Sequence, residues 1–214
     1  MSVIPRPPEG RAPVAGSLLL IEEITHRVIN EYTIAIRSIE SEAADIADAD
    51  ARAVLGRATA RLRAQADAHR ALQPPAADDD LNLGDYLARL CATLSAASLA
   101  DLGIRLMLFE DDIDLAPERC WRVGLIVSEL IVNAVRHGAR ARGGMIVVDL
   151  RRVGAEVCCG VADNGCAASD PGPSRGRGLV ARLAQDLGGD VCWRFQSEGV
   201  TAVLAFPEKA PFRP

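Results

Sequence analysis

Lysine is almost missing from this chain: Lys209 is the only one among its 24 Lys and Arg residues. A lysine nucleophile or Schiff base is thereby excluded, and any contact to an anion falls to guanidinium, histidine or backbone amides. No dense basic stretch rises above the formal net charge of -5, which argues against general nucleic-acid binding. The cysteines Cys91, Cys120, Cys158, Cys159, Cys166 and Cys192 form no C-x-x-C pair and no Cys/His ligand ladder. A chain of this length needs no disulfide staples, so a reducing, cytoplasmic setting fits best. Long apolar runs are lacking too. The run from Leu18 to Ile21 stops at Glu22 and Glu23, and Met1 to Gly16 is rich in Pro, Arg and Gly, so neither a signal peptide nor a membrane span is expected. What remains is an ordinary globular composition, 49% hydrophobic and 25% charged over 214 residues, with room for one large domain or two small ones.

From Ser17 to about Ala47, Ile21, Ile24, Val28, Tyr32, Ala35 and Ile39 recur at steps of three and four, the stripe of a long amphipathic helix. A second stripe, Val54 or Leu55, Ala58, Leu62, Gln65, His69 and Leu72, runs from about Asp50 to Gln73 and stops before Pro74 and Pro75. Two helices joined by a tight turn make an antiparallel hairpin. A lone hairpin leaves apolar surface in water, so a homodimer completing a four-helix bundle is expected. The charged spacer Asp78, Asp79 and Asp80 marks the domain boundary. The expected organisation is a flexible N-terminus (1–16), a helical hairpin (17–77), a second domain (81–207) and a tail (208–214).

The second domain mixes element types. Helix is expected over Leu83 to Leu99, over Pro117 to His137 with Gly138 closing it, and near Gly178 to Leu187. Strands are expected at Ile104 to Phe109, Met145 to Val153, Glu156 to Ala162, Asp190 to Gln196 and Val200 to Phe206. The fold class is therefore α+β, a mixed sheet covered on one face by helices.

The helix from Pro117 carries Glu129, Asn133, Arg136 and His137 at spacings of three and four, which puts them on one face, with Leu125, Val132 and Val135 expected opposite. A carboxylate, an amide and two cation-capable groups on one ridge suit a hydrated metal ion and phosphate oxygens; a solvated helix face is the plainer reading. Next, a strand ends in Asp163-Asn164-Gly165, where a carboxylate can accept from an exocyclic amine beside a small residue, or simply form a turn. A glycine-rich loop then enters a helix through Gly176, Gly178 and Leu179, where free amides favour phosphate.

Together and in this order, these elements resemble the N-box and the two glycine boxes of the GHKL (Bergerat) ATP-binding fold over roughly Leu81 to Pro207. The first helix adds Glu22-Glu23-Ile24-Thr25-His26-Arg27-Val28-Ile29-Asn30, which looks like the phosphoacceptor box of the HWE and type-2 histidine kinases. His26 lies roughly 200° around the helix from Ile24 and Val28, so it is expected to face solvent. His69 sits on the apolar stripe of the second helix and reads as a packed or interface histidine.

The resemblance implies a two-component histidine kinase. Asn133 and Glu129 would hold Mg2+ and ATP, Arg136 and His137 would face the phosphates, and Asp163 would bind the adenine amine. Gly165, Gly176, Gly178 and Leu179 would shape the pocket. His26 would accept the γ-phosphoryl group and pass it to an aspartate of a response regulator receiver domain. The sequence departs from the family in several places. Glu31 and Ile29 replace the usual Asn and Lys of the acceptor box, Ser128 replaces the first N-box asparagine, Ala167 replaces a glycine, and the lid from Cys166 to Arg175 is short and proline-bearing. Fewer than twenty residues precede the first helix, so a separate sensor protein acting in trans is expected. An ATP-independent histidine phosphotransferase relaying between receivers is the alternative. An anti-sigma-like GHKL regulator is a further one, although that group lacks the hairpin.

Overall fold

Asp48 starts the second helix by accepting from the amides of Asp50 (2.8 Å) and Ala51 (3.4 Å), which turns the chain back on itself immediately after the first helix. The result is the hairpin α1 (Val14–Ala44) and α2 (Ala49–Ala71). The computed structural model describes residues 14–75, 79–137, 144–165, 172 and 174–209, and their side chains apart from those of residues 14–22 and 137. The expected N-terminal segment up to residue 13, Asp78, Gly138, Cys166, Ala167 and the last residues of the tail lie outside the described residues, as do the side chains of Ile21 and His137.

The α1 stripe differs from its expected position. The most covered described side chain of α1 is Ile29, 9% exposed, on the side turned to α2 with Thr33 and Ile36 half-buried beside it. The expected stripe runs alongside: Val28, Tyr32, Ala35 and Ile39 are half-buried and Ile24 is 51% exposed. The apolar face of α1 is thus wider than one neighbour can cover. Burial also explains Ile29 physically, because a lysine there would have to leave its charge against α2. Tyr32 stacks on His69 at 5.6 Å, and burial lowers the His69 pKa from its ordinary value.

After the hairpin come β1 (Leu81–Asn82), α3 (Leu83–Leu94), β2 (Arg105–Glu110), β3 (Asp114–Leu115), α4 (Pro117–His137), β4 (Met145–Val153), β5 (Glu156–Asp163), α5 (Arg175–Asp186), β6 (Asp190–Gln196) and β7 (Gly199–Pro207). The main sheet has the order β2-β4-β5-β7-β6; β2 and β4 run parallel and the other neighbours antiparallel. Alternation along the strands sends Ile146, Val148, Leu150, Val157, Cys159, Val161, Leu204 and Phe206 to one buried side. There they meet Leu87 and Leu90 of α3, Ile126 and Leu130 of α4, and Val180 and Leu183 of α5. Phe109 and Met107, on the other face of β2, are 50% and 39% exposed. This is the expected α+β sandwich.

Three of these elements depart from expectation in kind or length. Regular helix α3 stops at Leu94 and continues as a π turn over Ser95–Leu99, then a 3-10 turn closed by Gly103 at φ 66°. The π turn presents the Ala97 carbonyl to the Gln65 amide of α2 at 2.8 Å. β1 and β3, too short for any sequence pattern, pair antiparallel to each other.

The end of α2 is tied to this sandwich by its own unpaired carbonyls. A helix leaves its last C=O groups without intrahelical partners, and Pro74 and Pro75 prevent continuation. Trp121 Nε1 of α4 donates to the Leu72 carbonyl at 2.8 Å, and the Tyr86 hydroxyl of α3 donates to that of Ala71 at 3.4 Å. Ala64, Ala71 and Leu72 pack on the same core as the sheet. Among the described residues no helix is long and apolar enough to cross a membrane. Cys91, Cys120, Cys158, Cys159 and Cys192 are free thiols, and burial pushes Cys91 and Cys159 up to about 12 and Cys120 up to about 11.

Trp121→Phe keeps a ring and removes the donor. Its unfolding free energy, measured by urea denaturation, is expected to fall by about 1–3 kcal/mol, whereas Tyr86→Phe, which loses a longer bond, should cost less.

Candidate functional site

α4 is opened by Pro117 at its first turn, where no amide is needed, and Glu129 on it meets the start of α5. The Asn133 side-chain amide donates to Glu129 Oε1 at 3.3 Å, one turn back along the helix, and both residues are half-buried. Arg136 is exposed. The expected apolar face of α4 needs correction: at about 100° per residue, Leu125 and Val132 fall within about 60° of Glu129, and Val132 is 42% exposed. The buried side consists of Val123, Ile126, Val127, Leu130, Ile131 and Ala134. Ser128, where the family has asparagine, is buried with its hydroxyl turned back to the Leu125 carbonyl at 2.9 Å.

α5 begins earlier than expected. Ser174 caps it by accepting from the Arg177 amide at 3.3 Å, so Gly176 and Gly178 both sit in the first helical turn rather than in a loop. The two glycines do different work. A side chain on Gly176 would overlap the Glu129 carboxylate, so the missing Cβ is what lets α5 lie against Glu129. A Cβ on Gly178 would meet nothing within 4 Å, leaving room for a ligand to approach the backbone. Leu179 is half-buried against the core.

The end of β5 supplies the third element. Asp163 Oδ1 accepts from the Gly165 amide at 2.8 Å, while Asn164 exchanges two bonds with Met145 at the start of β4, accepting through Oδ1 at 2.8 Å and donating through its amide at 3.2 Å. Gly199, at φ 144°, lets the Asp163 carbonyl approach the start of β7. The turn reading of Asp163 is met: one oxygen shapes the turn, and the half-buried carboxylate sits at the strand end.

His26 lies apart, exposed on α1, with the Gln73 side-chain amide 3.2 Å from Nδ1 and 3.3 Å from Nε2. Beside it, Arg27 is held by Glu23 at 2.5 Å. Sequence reading overlooked Gln73, whose contact is tertiary and has no local signature. It also overlooked Arg177, whose guanidinium lies over the rings of Trp193 (4.8 Å) and Phe195 (5.4 Å) and donates to the Gly172 carbonyl at 2.9 Å. Ser174 could have been found, since Ser directly before a helical segment is a preferred N-cap.

The Glu129–Gly176 contact can be isolated by a double-mutant cycle in chemical denaturation. Gly176→Ala should destabilise the chain more in the native background than in Glu129→Ala, where the obstructing carboxylate is gone, with a coupling of about 1 kcal/mol or more.

Against this geometry, comparisons with known proteins give a consistent picture. The histidine kinase-like ATPase domain family matches residues 90–198, and a histidine kinase family of the HWE type matches residues 23–98. No curated protein matches. Among solved structures, the histidine kinase domain of the blue-light activated histidine kinase EL346 from Erythrobacter litoralis is 19% identical, with 82% of this chain and 95% of that one covered and a TM-score of 0.57. A bacterial phosphotransferase is 12% identical over 90% of this chain and 97% of its own, with a TM-score of 0.64. Full-length ShkA, solved with AMPPNP, is 17% identical over 87% of this chain and 46% of its own, with a TM-score of 0.51. At these identities the structures speak for the fold, whereas the sequence families speak for descent. The chain belongs to the histidine kinase-like ATPase family and carries in front of it the helical segment of an HWE-type histidine kinase.

Proposed function

We propose that this protein is a two-component histidine kinase that phosphorylates His26 from ATP and passes the phosphoryl group to an aspartate of a response regulator receiver domain. The observation that carries the reading is the juxtaposition at α4 and α5: Glu129, which accepts from Asn133, abuts the first turn of a helix whose Gly178 faces unfilled space. The donor set fits a magnesium nucleotide. With its nitrogen turned to Glu129, Asn133 keeps an amide oxygen for a hard cation, the ligand type that Mg2+ prefers. Backbone amides at the start of α5 suit phosphate oxygens, and Asp163 suits an exocyclic amine. Bound Mg2+ would supply charge neutralisation on the phosphates. Arg136 and His137 would stand near them at the end of α4, with Gly165 and Leu179 shaping the pocket.

In the transfer, a lone pair on a neutral His26 ring nitrogen forms the new P–N bond as the bond from the γ-phosphorus to its bridging oxygen breaks. The bond's electrons leave with ADP. In the second step the P–N bond breaks as a receiver carboxylate oxygen bonds to phosphorus. The hairpin (17–77) would then serve as acceptor and dimer element and residues 81–207 as the nucleotide domain.

An ATP-independent phosphotransferase is the second reading. It is favoured by Arg177, which lies between Gly176 and Gly178 and whose guanidinium is engaged by Trp193, Phe195 and Gly172. A homodimer accounts for the partly exposed stripe of α1, and a receiver domain and a separate sensor complete the expected partners. A GHKL regulator of anti-sigma type is disfavoured by the acceptor hairpin.

Incubation with γ-labelled ATP and magnesium, and separately with a phosphorylated receiver, distinguishes the readings. The kinase predicts acid-labile label from ATP that is lost in both His26→Ala and Asn133→Ala. Label taken only from the receiver, lost in His26→Ala and kept in Asn133→Ala, would establish the phosphotransferase instead. For the dimer, Ile24→Asp should shift sedimentation from dimer to monomer, and an unchanged dimer would refute an interface on this stripe.

A further inference from the structure

An exposed imidazole on a helix turns about χ2 in a broad energy well, and a nucleophile must be held to within about 10–20° of its productive orientation. His26 needs a second group to set its plane. The Gln73 amide nitrogen is 3.2 Å from one ring nitrogen and 3.3 Å from the other. An atom almost equidistant from both nitrogens at this range cannot lie in the ring plane without colliding with the carbon between them. The amide therefore rests against the face of the imidazole. This contact fixes the plane of the ring without consuming an in-plane lone pair, which is the direction along which a P–N bond forms.

Gln73 is itself placed by tertiary contacts. Its backbone amide closes the last turn of α2 on the Arg70 carbonyl at 3.0 Å, and the proline that follows confines it to extended backbone. The preceding carbonyl, that of Leu72, is held by Trp121, two helical turns before Glu129 on α4. The group that orients the imidazole thus hangs from the helix that carries the candidate nucleotide ligands.

We propose that Gln73 is a positioning residue for phosphoryl transfer at His26, setting the imidazole plane from the end of α2. The role rests on His26 being the phosphoacceptor. Gln73→Ala should lower the rate constant for labelling of His26 at least tenfold, with the KM for the phosphoryl donor unchanged. Gln73→Glu, which keeps the length but replaces the amide N–H with an anion, should not restore the rate. Carbon-13 relaxation of the His26 ring gives a readout independent of any donor: ring mobility should rise in Gln73→Ala. Unchanged ring mobility in Gln73→Ala overturns the proposal. So does native-level labelling by that variant, or a loss that appears in KM alone. If the native protein takes label from neither ATP nor a phosphorylated receiver, the phosphoacceptor reading itself fails and this role with it, whereas labelling of the native protein that Gln73→Ala leaves intact removes the role only.

Discussion

A helix cannot end in a protein interior without some partner for its last carbonyls, and that constraint organises this molecule. Two prolines stop α2, and the oxygens left over at Ala71 and Leu72 are taken by Tyr86 and Trp121. Both donors are aromatic, so each brings ring area to the junction as well as a hydrogen bond. The hairpin and the sandwich are joined by satisfied polar groups set among apolar contacts, a geometry that tolerates little sliding. Gln73, beside His26, follows immediately after that joint.

A second constraint is steric. Glu129 and the start of α5 occupy the same place unless residue 176 has no side chain. The two glycines at the start of α5 are not equivalent. Here they divide: one accommodates a carboxylate of the protein, and the other leaves space that the protein does not fill. The short capped start of α5 and the stacked guanidinium of Arg177 make this edge of the site stiffer than a glycine-rich sequence suggests.

Much of this was legible in the sequence wherever the signal was local. Pro117 marked the first residue of α4, and strand-like runs bounded by turn residues marked β4 and β6 with their observed ends. Signals that depended on a neighbour were not legible. Ile29 looked like a lost positive charge until α2 was seen beside it. The π turn after α3 answers to Gln65 of a distant helix, and β1 and β3 exist only by virtue of each other. The apolar face of α4 was misassigned because spacing was judged without the wheel angle, which puts Leu125 and Val132 beside Glu129. In the site itself, residue types and their order were readable from motif spacing; Gln73 was not, because no pattern in the chain connects it to His26.

Parallel neighbours in a sheet require a crossover, and between β2 and β4 that crossover contains α4. The helix bearing Glu129 and Asn133 is consequently also the bridge by which the edge strand β2 joins the rest of the sheet. Loosening that bridge would detach a strand along with Glu129 and Asn133, so selection on the chemistry of α4 and selection on the topology of the sheet act on a single segment, and drift in one is restrained by the other.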